Sequence, residues 1–272
     1  MFPDINNFLD IKGNFDFAGD IIAISDSKTD GSFFIHHFLS LFLRQRRHVC
    51  FVGLQQSFTH YNSLSMKFGL NLNKLRETGD LTFIEGLKLI GESIISSKEE
   101  SQISDEHSSP EQWTKSLVQD LSLKELFLHI QNLTSQVNKQ APVVIIDDIC
   151  VLLNLGVSHK EIITFIHYLK SQIVFKKLGS VVVYLHGDED AGDDEEGLIW
   201  KTMCHSCSVQ LQVTGLPSGY CKEVHGEITL TCRKHNNCSS DERIKVMSKK
   251  IQYQTTDKNV VCFAVGMSSV VL

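Results

Sequence analysis

The sequence predicts an α/β fold in which a mainly parallel central β-sheet is flanked by helices and extended by antiparallel strands at its C-terminal end. Two patterns support this prediction. Apolar strand-like runs alternate with helical segments over the first two thirds of the chain, as in βαβ units. Residues 143–146 and 181–185 are apolar at consecutive positions, which indicates strands covered on both faces. The last third has short strand patterns with little helix between them.

The individual elements follow in order along the chain. The first strand, residues 21–25, leads into a helix over about residues 32–46, where apolar residues recur at a helical spacing. Further helices are predicted around residues 61–68, over about residues 114–137, and after Ser158. The other strand patterns cover residues 48–55, 81–87, 142–149, 180–187, 208–213, 226–234, 249–256 and 260–266.

Length and composition favour a single domain over residues 1–272. The chain has 42% hydrophobic and 21% charged residues and four prolines, so no Pro-rich linker is expected to divide it. Within this domain, residues 1–20 are predicted to be an N-terminal extension. Residues 97–113 are predicted to form a polar, disordered loop, and residues 188–196 an acidic surface loop.

Charge and targeting signals narrow the function classes. The formal charge of −6 gives no general support for nucleic-acid binding, so any RNA contact must be local or shared with partners. The N-terminus fits neither a signal nor a transit peptide, and no apolar run reaches the roughly 18 residues of a membrane span. We therefore expect a protein of the cytoplasm and nucleus that contacts no membrane and whose eight cysteines are reduced.

Residues 25–32 have the outline of a phosphate-binding loop between a strand and a helix. Such a loop follows G-x-x-x-x-G-K-[ST], because glycines let backbone N–H groups approach phosphate, lysine neutralises charge and the hydroxyl holds Mg²⁺. Here only the hydroxyl of Ser32 remains, since Ser25 and Asp30 replace the glycines and Gly31 replaces the lysine. We interpret Asp30 as a helix N-cap and predict that this degenerate loop binds no cofactor.

The other two parts of an ATPase site are also incomplete. Residues 143–147 resemble a Walker B strand, whose final aspartate, here Asp147, lies near Mg²⁺ in ATPases. The strand after the phosphate-loop helix should end in a glutamate that activates water. It ends instead in Gln55 and Gln56, and no acidic residue occurs over residues 50–76. Because an amide cannot take up a proton, we predict no catalytic residue and no hydrolysis by this chain alone.

Two alternatives remain open from the residues. One is an ATPase with atypical nucleotide-binding residues. The other is a zinc-stabilised binding module, built on late cysteines and a histidine if these met in space: Cys204, Cys207, Cys232, His235 and Cys238. We nevertheless predict no metal site, since Cys232 falls in a predicted strand and the chain has no second CxxC.

Seven blocks in order along nearly the whole chain resemble the family of Elongator subunit six. They are family-specific blocks rather than general nucleotide motifs: KTDGSFFIHHFLS, VCFVGLQQSFTHY, FIEGLK, DDICVLLNLG, FIHYLK, GLPSGYCKEVHGEI and GMSSVVL. The resemblance implies a RecA-like fold that has lost its Walker motifs and has no enzymatic activity of its own. It also implies partners: Elongator subunits four and five, which join this subunit, two copies of each, in a heterohexameric ring.

The family's ring is an accessory part of the complex that modifies wobble uridine (U34) of tRNA at carbon five. The ring binds tRNA, whereas the chemistry belongs to the catalytic Elongator subcomplex. By the same resemblance, residues 215–219 match a central-channel loop of RecA-like rings. Lys222 follows this loop, and Lys249 and Lys250 lie in a second basic segment. These three lysines are our candidates for RNA contacts.

Overall fold

Nine strands form one sheet in the computed structural model, which describes residues 2–10, 17–99, 112–136, 141–187, 195–219, 221–235, 244–256 and 259–266. The strands are β1 (Ile21–Ser27), β2 (Val49–Val52), β3 (Leu81–Ile84), β4 (Val143–Ile146), β5 (Ser180–His186), β6 (Val209–Thr214), β7 (Gly226–His235), β8 (Ile244–Thr255) and β9 (Val260–Phe263). Their order is β3-β2-β4-β5-β1-β6-β7-β8-β9. The strands from β3 to β6 in this order are parallel, and β7, β8 and β9 continue the sheet antiparallel.

Helices cover both faces of the parallel part of the sheet. They are α1 (Pro3–Phe8), α2 (Phe33–Arg44), α3 (Phe58–Lys67), α4 (Leu72–Glu77), α5 (Gly86–Glu99), α6 (Gln112–Asp120), α7 (Lys124–Ser135), α8 (Cys150–Asn154), α9 (His159–Leu169) and α10 (Glu195–Ser206), with a π-helical segment at Lys170–Phe175 after α9. Three helices begin at a side-chain cap, in which Ser57, Asn71 or Ser158 accepts a backbone N–H of the first turn. Among the described residues, no helix is long and apolar enough to cross a membrane.

The consecutive apolar residues of the parallel strands supply two hydrophobic cores. Because side chains alternate along a strand, Ile22 and Ile24 of β1 face one core, whereas Ile21 and Ala23 face the other. The first core packs against α2 and the N-terminal residues, and the second against α7, α9 and α10. Both faces of β1 are therefore covered. The same alternation between the two cores holds for residues 143–146 and 181–185, which confirms the prediction made from their consecutive apolar residues.

The described residues before β1, in the predicted N-terminal extension, pack as part of the first core. Helix α1 packs on β9, and Asp4 Oδ2 accepts the Cys262 N–H at 3.1 Å. Phe2 and Ile5 are buried against the core, as is Phe17 just before β1. This packing was not predicted, because acids and asparagines interrupt the apolar residues of this segment.

Several predicted boundaries differ from the structure. Helix α5 extends to Glu99 and α6 begins at Gln112, so both ends of the predicted polar loop, residues 97–113, are helical, and residues 100–111 lie outside the described part. Likewise, α10 begins at Glu195, inside the predicted acidic loop of residues 188–196. Residues 188–194 of that loop lie outside the described part of the chain. The single helix predicted over residues 114–137 is wrong, because α6 and α7 are separate helices.

Strand β6 was also placed incorrectly in the antiparallel group. It pairs parallel with β1 and antiparallel with β7, so it is the junction between the two parts of the sheet. The crossover from β5 to β6 is made by α10, which the sequence did not predict. A parallel neighbour needs such a crossover, so missing the helix led to the wrong direction for the strand.

Candidate functional site

The carboxyl ends of the parallel strands meet at one edge of the sheet, where ligands bind in open α/β folds. The degenerate phosphate loop lies there, between β1 and α2. Its backbone turns at Lys28, which has a left-handed φ of 59°. The loop borders a cleft of about 970 Å³ whose lining also includes Gln55, Tyr61, Tyr184 and His186. This cleft is the place where nucleotide-binding chemistry would have to be found.

The carboxylate of Asp26 accepts a hydrogen bond from a backbone N–H that a phosphate would otherwise bind. Asp26 is buried at the end of β1. Its Oδ2 accepts a hydrogen bond from the Gly31 N–H at 2.9 Å and another from the Tyr184 hydroxyl. Asp30 Oδ1 accepts from the Ser32 N–H at 2.8 Å. Two N–H groups just before α2, where a phosphate loop holds its anion, are thus satisfied by carboxylates of the loop itself.

The position of Asp30 differs from the predicted N-cap. Helix α2 begins at Phe33, so its N-cap is Ser32, whose side chain makes no capping bond. Asp30 lies two residues earlier and bonds the N–H of the N-cap residue. A short acceptor side chain was the correct residue type, but it closes a turn ahead of the helix rather than capping the first turn.

His186 links the phosphate loop to the segment after β4. It is the register partner of Asp26 in the β1–β5 pair. Its Nδ1 lies 2.6 Å from Asp26 Oδ1, and its Nε2 lies 3.3 Å from Asp148 Oδ2. Hydrogen bonds to Asp148 and Asp26 raise the pKa of His186 to about 10, against the effect of burial. The ring is therefore protonated at neutral pH and donates to both carboxylates.

Asp147, the Walker B-like aspartate, holds the chain after β2. It is 1% exposed, and its carboxylate accepts the backbone N–H groups of Leu54, Gln55 and Gln56 at 2.7–3.2 Å. It also accepts the Tyr61 hydroxyl at 3.0 Å. Burial raises the pKa of Asp147 to about 6, although these hydrogen bonds favour the charged form. With four donors on its two oxygens, this carboxylate serves the loop between β2 and α3.

The positions that would supply a catalytic base carry amides. Gln55 is half-buried, with its Nε2 at 3.5 Å from Asp148 Oδ2, whereas the side chain of Gln56 is exposed. Neither amide can accept a proton from water. The backbone of both residues is instead held by Asp147. These hydrogen bonds connect the segment after β2 to the segment after β4.

The charge of the cleft does not suit a triphosphate. Among the lining residues in the described part of the chain, the positive charges of Lys28 and protonated His186 are balanced by the carboxylates of Asp26 and Asp30. His36 adds no positive charge, because burial above all lowers its pKa to about 4. A phosphate loop instead concentrates cations and free N–H donors around the anion. With two loop N–H groups already bonded to carboxylates and no excess of cations among the described lining residues, this arrangement is poorly suited to a nucleotide.

The predicted channel loop, residues 215–219, packs directly on the phosphate loop. The Gly215 N–H donates to the Ser27 carbonyl at 2.9 Å. A Cβ at Gly215 would lie 2.8 Å from the Lys28 carbonyl oxygen, so only glycine allows this approach. A second cleft, of about 1110 Å³, lies between these two loops and the ends of the antiparallel strands.

The three candidate lysines for RNA do not form one group. Lys249 and Lys250 are neighbours on β8, so their side chains leave opposite faces of the sheet. Lys249 contacts Asp10, and Lys250 Nζ lies 2.5 Å from Glu227 Oε2. Lys222 is exposed and, within the described residues, forms no ion pair. Lys222 thus remains the candidate that the contacts leave available, and its role in RNA binding stays a prediction.

The cysteines proposed for the zinc alternative are not brought together. Cys204 and Cys207, at the end of α10, face the second core. Cys232 packs against the first core, on the opposite face of the sheet. Cys238 lies outside the described residues, as does the side chain of His235. Within the described part, no three residues of the ligand-forming types lie close enough to hold a metal ion.

Sequence reasoning missed the residues that complete this network. His186, Tyr184 and Asp148 gave no motif, because their roles depend on which strands are neighbours. The register of β1 against β5 places His186 beside Asp26, although 160 positions separate them. A signal was available, since all three residues lie in the C-terminal halves of predicted strands, and parallel strands present their carboxyl ends at one edge. Strand order was the missing information.

The fold and the site together define a class: a RecA-like domain in which the chain's own side chains fill the nucleotide-binding positions. The fold is shared with a KaiC-like protein of Pyrococcus horikoshii, with a TM-score of 0.56 and 10% identity over 90% of each chain. This similarity confirms the RecA-like fold that the sequence predicted.

The particular family is given by sequence. Residues 2–257 match the family model described as Elongation complex protein 6. The chain is 36% identical to Elongator complex protein 6 of Xenopus laevis and 34% identical to that of Homo sapiens, with 100% of each chain covered. The relative from Dictyostelium discoideum is 23% identical over 92% of this chain and 91% of that protein. The chain belongs to the Elongator complex protein 6 family.

Proposed function

We propose that this chain is a non-catalytic subunit of the accessory subcomplex of Elongator. Two copies of it join two copies each of subunits four and five in a heterohexameric ring. The ring binds tRNA and supports modification of U34 at carbon five by the catalytic subcomplex, in the cytoplasm and nucleus. Family membership over the whole chain supports the place in Elongator.

The non-catalytic role rests on one observation above all, the hydrogen bond from the Gly31 N–H to Asp26. A phosphate could take this donor only after Asp26 released it. Asp26 also holds Tyr184 and His186, so releasing it would leave a buried hydroxyl and an imidazolium without their acceptor. The phosphate would then lie beside a buried carboxylate of the same charge, which low dielectric makes costly.

Titration with Mg-ATP tests the loss of nucleotide binding. Isothermal titration of the isolated chain with millimolar Mg-ATP should give no binding heat. The variant Asp26→Asn serves as a matched control, because it removes the like charge while keeping a side chain of the same size. Saturable heat with the unaltered chain would restore the reading of an ATPase with atypical residues.

Native mass spectrometry tests the assembly. This chain, co-expressed with Elongator subunits four and five, should appear in a particle whose mass corresponds to two copies of each. Omitting subunit four or five in turn provides the controls and shows which partner this chain contacts. A chain that remained monomeric beside a complex of the other two would contradict the proposed role.

A further inference from the structure

Strand β8 has an edge that its neighbours cover only in part. On one side, β7 pairs with β8 from Ile244 to Tyr253. On the other side, β9 pairs only with residues 252–255. Among the described residues, no strand therefore lies along the outer side of residues 244–251, which we call the β8 edge. At about 3.4 Å per residue this edge is long enough for a strand of ordinary length.

The direction of the backbone groups follows from the pairing. In antiparallel pairs, successive residues direct their N–H and C=O groups to alternate sides. The Arg233 N–H donates to the Ser208 carbonyl, at 2.8 Å, so the backbone groups of Arg233 face β6. Its register partner Val246 then directs its own groups away from β7. By alternation, Ser248 and Lys250 do the same, so three residues present donors and acceptors along the β8 edge.

The side chains at this edge define what it can accept. Val246 is 57% exposed and Met247 is 39% exposed, so apolar surface is available on both faces. By sequence, strands β7 and β8 carry five bases, Arg233, Lys234, Lys245, Lys249 and Lys250, and one acid, Glu227. Glu227 pairs with Lys250 and Asp10 pairs with Lys249, so the bases still exceed the acids. A second copy of β8 would bring like charges together, which destabilises strand pairs. An acidic strand would not.

We propose that the β8 edge binds an extended, acidic segment of another polypeptide, which adds to the sheet as a tenth strand. Main-chain hydrogen bonds to Val246, Ser248 and Lys250 supply affinity, and alternate side chains contact the exposed Val246 and Met247. RNA suits this edge less well, because phosphates do not match alternating donors and acceptors. The inference rests on the proposed function, since the segment belongs to a neighbouring subunit of the assembly.

The variant Ser248→Pro tests the proposal. Proline removes the outward-facing N–H of residue 248 without removing a bond to β7, and edge strands tolerate it. Ser248→Ala is the matched control, because it keeps the N–H and removes only the hydroxyl. We expect Ser248→Pro to weaken association with subunits four and five at least tenfold, measured by titration of the purified proteins, and Ser248→Ala to leave it unchanged.

A measurement on the unaltered chain keeps the test independent of any folding defect. Hydrogen exchange should slow at least tenfold at the amides of Val246, Ser248 and Lys250 when the chain enters the assembly. If the unaltered chain does not assemble at all, the proposed function fails and this inference fails with it. If it assembles while these amides stay unprotected and Ser248→Pro binds like Ser248→Ala, only this inference is overturned.

Two other results would also overturn it by naming a different occupant. One is a dimer of the isolated chain that Ser248→Pro abolishes, which would assign the β8 edge to a second copy. The other is protection of the three amides only after tRNA is added to the assembly. Protection on assembly before tRNA is added supports the proposal.

Discussion

The carboxylate of Asp26 contacts three donors from two parts of the chain: the Gly31 N–H of the loop, and the Tyr184 hydroxyl and His186 ring of β5. In a nucleotide-binding loop, backbone N–H donors such as that of Gly31 bind the phosphate. Here they are satisfied within the fold, so the loop keeps its path without a bound anion. The same holds for Asp147, which bonds the chain after β2. Positions that hold a ligand in nucleotide-binding loops here make hydrogen bonds within the chain.

The bridge through His186 predicts a pH dependence of stability. Its pKa is raised to about 10 in the folded chain from an ordinary value of 6.5. A raised histidine pKa contributes stability that is complete below pH 6.5 and is lost as pH rises toward 10. In chemical denaturation, the unfolding free energy should therefore fall over this window.

His186→Asn should remove most of this dependence. His159→Asn is the matched control, since His159 lies 3.0 Å from Glu195 in a pair outside the network. If the unaltered chain and His186→Asn lose stability in parallel above pH 6.5, the bridge does not act as described.

Lys222 is the residue for which we predict a contact with tRNA. If the assembled ring binds tRNA through the segment after residues 215–219, Lys222→Glu should weaken binding several-fold and reduce its salt dependence, because one phosphate contact is lost. Lys88→Glu is the control, as Lys88 is an exposed lysine on α5 beside Glu92. Filter binding at two salt concentrations would measure both effects. Equal tRNA affinity for the two variants would remove Lys222 from the site.

At the scale of elements, the sequence predicted what depends on local pattern and missed what depends on distant contacts. All five parallel strands before β6 were located, because their apolar runs are continuous. The break between α6 and α7 was not, since the apolar pattern runs through it. Leu121 there has a left-handed φ of 53°, and Glu161 of α9 accepts the Leu123 N–H at 3.0 Å. That partner is 38 residues away.

The contact between the phosphate loop and residues 215–219 gives a prediction for Gly215→Ala. The added methyl would lie 2.8 Å from the Lys28 carbonyl oxygen, and a backbone atom cannot turn aside. We expect a loss of about 1–3 kcal/mol of unfolding free energy. Gly91→Ala is the control, because a Cβ at that helical position meets nothing within 4 Å. There the change should be neutral or slightly stabilising, by less than about 1 kcal/mol.

At the scale of the whole molecule, the first core is formed by segments that lie far apart in sequence. The first core includes residues from α1 as well as Tyr253 and Val260 of the antiparallel part. Helix α1 and strand β9 thus pack together, and Asp4 accepts the Cys262 N–H there. This packing joins elements from the beginning and the end of the described chain, so the stability of that face depends on both.

Variants of helix α1 can measure how much its packing on the first core contributes to stability, because α1 has a fully buried side chain close to an exposed one. Ile5 is 0% exposed in the first core, whereas Asn7 is exposed. Ile5→Ala should lower the unfolding free energy by about 2–5 kcal/mol, the usual cost of a large cavity, and Asn7→Ala should change it by less than about 0.5 kcal/mol. Thermal and urea unfolding of the two variants would measure this difference. Equal stabilities would mean that the burial of Ile5 contributes little to the stability of the fold. A large loss for Ile5→Ala alone would mean that the N-terminus cannot be removed without unfolding the face of the sheet that it covers.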